Sequence, residues 1–224
     1  MFEYAYDLSG CAYPVIKEFD CADATALSKG EAVLLPVAAS GTTGIVTAGG
    51  TTYTTGYLGV TVEAKVASDG KVRIKVYCSP TAVFRAVPIE TTVSATPSTT
   101  VWTDSVVLLN TTADAANGGK LKITAKAAAA TGTFVVGKVI PITDSATNTL
   151  TGAAASFPGS TTVGDVAYFF PPIGSAGVTV SATNALTLVW AATTGTAIRV
   201  VDHDLVNDKV YFMFALHRFA NAAA

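Results

Sequence analysis

The chain reads as an all-β protein: two small antiparallel β-sandwich or barrel domains with little helix. Three observations predict this. Short β-branched runs separated by Gly, Asn, Asp, Thr and Pro recur along the whole length, which is the pattern of a sandwich or barrel. Helical periodicity is nearly absent. Two stretches, 54–80 and 186–200, alternate apolar and polar residues on both sides of a turn, as the two faces of a hairpin require.

Taken in order, the opening "MFEYAYDL" sets Phe2, Tyr4 and Tyr6 on one face if it is extended. It is either the first strand of its own domain or an aromatic arm that adds to a neighbour's sheet edge. "CADATALSKGEAVLL" is broken by Gly30 and closed by Pro36, so at most one helical turn precedes a strand at Ala32–Leu35. In 54–80, Val60, Val62, Ala64 and Val66 share a face, as do Val72, Ile74 and Val76. Opposed residues of an antiparallel pair point the same way. A three-residue loop, Ser68-Asp69-Gly70, therefore pairs Val66 with Val72, Ala64 with Ile74 and Val62 with Val76. It predicts a type I turn followed by a left-handed Gly70, with Glu63 opposite Lys75.

Weak alternation, two prolines and many Thr and Ser mark a boundary in 87–100, giving a first domain at 1–90 and a second at 98–224. A faint echo of 54–64 at 130–140 suggests duplication. Near the end, Thr193-Thr194-Gly195 would set Trp190 opposite Ile198 and Leu188 opposite Val200. The last segment, "KVYFMFALHRF", is apolar on both faces, so it is expected to be covered on both sides, one cover being a neighbouring subunit.

Composition narrows the function. Half of the 224 residues are hydrophobic and 13% are charged, against roughly 25% charged in an average domain. A chain so poor in charge is expected to hide surface by assembling. A net charge of −2 without a basic run argues against nucleic-acid partners. The absence of a long apolar run argues against a membrane partner. "MFEYAYDLSG" has no basic n-region, so no signal peptide is expected. Cys11, Cys21 and Cys78 are odd in number and lack zinc spacing; three buried thiols, over a Cys11–Cys21 bridge, suit a reducing cytoplasm.

Chemistry is scarce. In "VVDHDLVND", Asp202, His203, Asp204 and Asp208 could bind a metal, but successive strand residues face opposite ways, and the segment reads as a strand end and turn. "TAGGTT" and "ANGGK" are glycine pairs in loops and match no phosphate-binding fingerprint. No serine sits in a nucleophile elbow, and both histidines lie within the last 25 residues. Trp190 falls on the inward face of its hairpin and reads as core. Trp102 is left open between core and an exposed platform for a sugar. No enzyme activity, cofactor or metal is expected.

"LSKGEAVLLPV", "GIVTAGG" and "TTGYLGVTVEAKVASDGKVRIKVYCSP" together resemble the small β-domain of tailed-bacteriophage capsid decoration, or cement, proteins. The resemblance covers roughly residues 27–87 and runs through a Gly-led strand, a loop of small residues, an "LGV" strand, an Asp/Gly turn and a strand of alternating valines. It implies a non-enzymatic virion protein, made in the host cytoplasm. Such a protein would sit on the outer capsid surface as a trimer or other homo-oligomer and hold major capsid protein subunits together. Candidate partner contacts are Phe2, Tyr4 and Tyr6 at one end, and Phe212, Phe214, His217 and Phe219 at the other. The alternatives are another virion component (tail-tube, head–tail adaptor or fibre subunit) or a carbohydrate-binding or adhesin module.

Overall fold

The computed structural model describes every residue except 12, 36–44, 49–55, 96–97, 105–107, 109–112, 129–132, 134, 154–155, 176, 182–184, 191–197, 216 and 218–224. It is all-β, with no helix among the described residues. In chain order the strands are β1 (Glu3–Asp7), β2 (Ile16–Cys21), β3 (Ala32–Leu34), β4 (Ile45–Ala48), β5 (Tyr57–Thr61) and β6 (Arg73–Tyr77). Next come β7 (Ala82–Ala86), β8 (Ile89–Thr92), β9 (Val101–Thr103), β10 (Lys120–Ala125), β11 (Val139–Ala146) and β12 (Thr149–Gly152). The last are β13 (Val166–Phe170), β14 (Val178–Val180), β15 (Leu188–Trp190), β16 (Ile198–Asp204) and β17 (Lys209–Phe214).

Strands β2-β4-β3-β5-β6 close into a barrel. Its interior is small and has its own cluster: Cys21, Leu27, Val33, Val46, Leu58, Ile74, Val76 and Cys78. Closure leaves no free sheet edge there. The outward side chains of β6 meet carboxylates directly opposite on β2, with Glu18 facing Lys75 and Asp20 facing Arg73. Arg73 Nε and Asp20 Oδ1 are 3.3 Å apart.

A second, larger core runs between the remaining sheets. The order β1-β7-β17-β16 forms one sheet, and β8-β13-β10-β11-β12-β9 forms another. Alternation sets the second sheet's inner face: Leu121 and Ile123 of β10, Ile140 and Ile142 of β11, and Leu150 of β12 are buried. Its two end strands are tied across the gap. Trp102 Nε1 on β9 donates to Thr91 Oγ1 on β8 at 3.1 Å. Thr91 Oγ1 in turn donates to Asp104 Oδ2 at 2.8 Å, and Ser94 N donates to Thr103 O at 2.9 Å. A buried polar chain whose members all find partners can close a sheet without leaving a lone polar atom in the core.

The hairpin expected at 54–80 needs correction. The β5–β6 ladder pairs Val60 with Tyr77 and Thr61 with Val76, a slip of one residue from the expected register. It stops at Thr61 instead of continuing to the turn. Two causes are visible. At Gly59 the strand takes a φ of 149°, and the β3–β5 register shifts beside it. Leu58 then points into the barrel, while Tyr57 and Val60 join the larger core. Further on, Lys65 turns inward and pairs with Leu27 instead of with β6. Val66 and Val72, expected to oppose each other in the core, are 70% and 57% exposed. Gly70 is left-handed, as expected, but Ser68 also has a positive φ of 58°, which a type I turn does not allow.

The ladder partners near the C-terminus also differ from expectation. β15 pairs with β14, setting Trp190 opposite Val178, and β16 pairs with β17, setting Ile198 opposite Phe214. The loop Thr193-Thr194-Gly195 and the glycines of "TAGGTT" lie outside the described residues. So do residues 130–132 of the expected internal echo, whose continuation at 135–138 is a turn preceding β11 and not a strand. Within the expected boundary at 87–100, Ile89–Thr92 forms β8. On the other sheet β17 pairs with β7, so strands from before and after that boundary share a sheet and a core.

Candidate functional site

Four of the aromatic and histidine residues singled out as partner contacts lie inside the chain. Phe2, Phe212, Phe214 and His217 are no more than 3% exposed. Phe2 packs edge-on to Phe212 at 5.0 Å, and Phe214 stacks on Tyr57 at 4.6 Å. The alternation of β17 explains this: Val210, Phe212 and Phe214 face the core, while Tyr211 and Met213 are half-buried on the other face. The N-terminal segment is β1, paired with β7 of its own chain. Phe219 lies outside the described residues.

A β-bulge in β1 separates the two tyrosines that simple alternation would put together. The β1–β7 register shifts between Tyr4, which faces Phe84, and Tyr6, which faces Val83. Tyr4 stacks on Tyr77 at 5.2 Å. Tyr6 lies on the opposite, open face, 40% exposed, with its ring 6.2 Å from that of Tyr211.

That open face carries a groove, about 780 Å³ in volume, between β1 and the β16–β17 turn. Across it run Arg85 on β7, Tyr211 opposite it on β17 and Asp202 opposite Tyr211 on β16; Glu3 on β1 continues this row opposite Arg85 but is not part of the groove's lining. Arg85 Nε donates to Glu3 Oε2 at 2.7 Å, and this pairing, with help from Tyr211, raises the Arg85 pKa. Burial, then the nearby Asp202 carboxylate, raises that of Tyr6.

The segment "VVDHDLVND" forms one wall as a strand end and turn. Asp204 Oδ1 accepts from the backbone of Val206 at 3.1 Å and of Asn207 at 3.0 Å. Asp208 takes a positive φ of 53° and pairs with Lys122 at 2.5 Å. His203 Nε2 bonds Pro171 O at 2.7 Å, and burial lowers its pKa. Among the described residues no group of three His, Cys, Asp or Glu side chains gathers as a metal site would require.

The two tryptophans are core residues, Trp102 fully buried and Trp190 3% exposed. Trp190 meets Phe169 edge-on at 5.1 Å. Trp102 therefore offers no sugar platform; the rings that line the groove are the exposed Tyr6 and the half-buried Tyr211, which no tryptophan-based search of the sequence would pick out. Cys21 and Cys78 are buried and free, as expected, whereas Cys11 is exposed and free.

Burial pushes the His217 pKa down to about 4, against a bond with the Leu58 backbone that opposes the shift. Below about pH 6.5 the unfolded chain takes up a proton that the folded chain refuses. Stability is thus full above that pH, falls as pH drops toward about 4, and levels off below. The expected loss is on the order of 3 kcal/mol from this group, with His203 adding in the same direction. Urea midpoints measured across that window should show the slope, and His217→Gln should flatten most of it.

No protein-family model, curated protein or solved structure matches this chain.

Proposed function

We propose that the protein is a structural component of a virion, binding the outer surface of an assembled tailed-phage capsid and holding major capsid subunits together as a homo-oligomer. The observation that carries this reading is a closed barrel preceded by a segment with exposed apolar side chains. Four of the five barrel strands, β3 to β6, come from the run that resembles decoration domains. Just before and into its first strand, Leu8, Tyr13 and Ile16 are 54%, 83% and 42% exposed. Exposed large apolar groups set close together in the chain favour a partner surface. They replace the buried Phe2, Phe212 and Phe214 as the expected contacts. Weak contacts repeated over several capsid neighbours hold firmly without any single tight site, which suits a stiff β-scaffold.

Co-sedimentation with undecorated shells tests this. Binding to shells, weak binding to isolated capsid subunits, and loss of binding in a Leu8→Ser, Tyr13→Ser double variant are expected. Absence from the shell pellet would sink the reading. Rings or filaments of purified protein would instead favour a tail or adaptor role.

A further inference from the structure

The row Glu3–Arg85–Tyr211–Asp202, with Tyr6 beside it, is not accounted for by adhesion to a shell. Arg85, Tyr211, Asp202 and Tyr6 line the groove of about 780 Å³, on a sheet face distinct from the barrel. From this arrangement we infer a binding site for a neutral saccharide chain.

The ligand class follows from charge and shape. The one cation of the row, Arg85, is already matched by Glu3 at 2.7 Å, and Asp202 adds a negative charge. A phosphate or carboxylate ligand would meet no unmatched positive partner and one repelling carboxylate. A purely apolar ligand would bury the Arg85–Glu3 pair and Asp202 at a desolvation cost. A pyranose has both an apolar C–H face and pairs of hydroxyls on its rim. Tyr6 and Tyr211, 6.2 Å apart and inclined by 36°, form a ledge for the first. For the second, Asp202 uses Oδ1 to accept from His203 N at 2.7 Å and makes no bond through Oδ2 among the described residues. The volume falls within the range of ligand sites. The wall at Val206, 86% exposed, is low, so a chain can run past the groove without having to end in it.

The site is independent of the shell-binding reading, and either can fail alone. Saturation-transfer NMR on the full chain with cellohexaose, maltohexaose and chitohexaose as probes tests it. Transfer to at least one probe is expected. Tyr211→Ala should weaken that binding about tenfold, as expected for loss of one stacking ring, while Tyr211→Phe should keep most of it. Asp202→Asn should weaken it less. If Tyr211→Ala does not fold, Tyr6→Ala on the edge strand β1 serves as the same reading. No transfer to any of the three probes would overturn the proposal. So would binding that the alanine variants retain in full.

Discussion

Gly59→Ala is expected to destabilise the protein by about 4 kcal/mol, enough to threaten folding of a domain of ordinary stability. Two costs add. The backbone at Gly59 has a φ of 149°, where side-chain-bearing residues are strained by roughly 1–3 kcal/mol. A β-carbon built there would also lie 1.8 Å from the carbonyl oxygen of Tyr77 and 3.1 Å from Val76 Cγ1. That oxygen cannot retreat cheaply, because β6 is held on its other side by five paired residues of β2. The seam between β5 and β6 would open and the barrel with it. Gly70→Ala is the control: its φ is 76°, but nothing lies within 4 Å of its added carbon, so a loss nearer 1 kcal/mol is expected. Urea unfolding of both variants checks the contrast. Equal losses would mean that the close approach of β5 to β6 is not what requires glycine at position 59.

Lys65→Met is expected to cost about 4 kcal/mol despite the similar size of the two side chains. The Lys65 side chain is fully buried. Its ammonium donates to the carbonyls of Asp23 at 2.7 Å, Thr25 at 3.1 Å and Val66 at 3.1 Å, and lies 3.3 Å from Asp69 Oδ1. Removing it leaves the Thr25 and Val66 carbonyls with no donor among the described residues and the Asp23 carbonyl with only Ser68 N, at 2.8 Å, beside the Leu27–Lys65 bridge. The carboxylates matter less, because Asp23 and Asp69 keep contact with solvent, which screens their attraction. Asp69→Asn should therefore be far milder than Lys65→Met in thermal and urea unfolding. The reverse order would assign the loop to ion pairing instead of to the carbonyl cage.

These two positions also show where sequence reading stops. The all-β class was legible because alternation and turn residues are local properties. The strand expected at Ala32–Leu35 is β3, shorter by one residue, and Trp190 faces a core as its alternation implied. At Gly59 the alternation broke without any change in the pattern of residue types. One bulge moved Val60 from the face of Leu58 to the opposite core, and a one-residue slip reassigns every side chain beyond it. Lys65 reads as a solvated residue in any polar–apolar count, and only the convergence of the distant Asp23 and Thr25 carbonyls with that of Val66 makes its burial favourable. The groove was hidden for the same reason. Its row draws one residue from each of four strands, of which only β16 and β17 are neighbours in the chain, and a bulge in β1 turns Tyr6 away from Phe2 and Tyr4. The aromatic residues of β17 were noticed, but alternation alone does not say which face of an all-apolar strand meets the core. Phe84 and Val200 on the neighbouring strands settle that, pairing with Phe212.

Cryo-electron microscopy of undecorated phage shells incubated with the protein tests the proposed function most directly. The reading predicts ordered density on the outer surface at junctions between capsid subunits, with the barrel and the exposed Leu8, Tyr13 and Ile16 facing the shell. Bare shells at saturating protein, or density confined to the portal or tail, would contradict it.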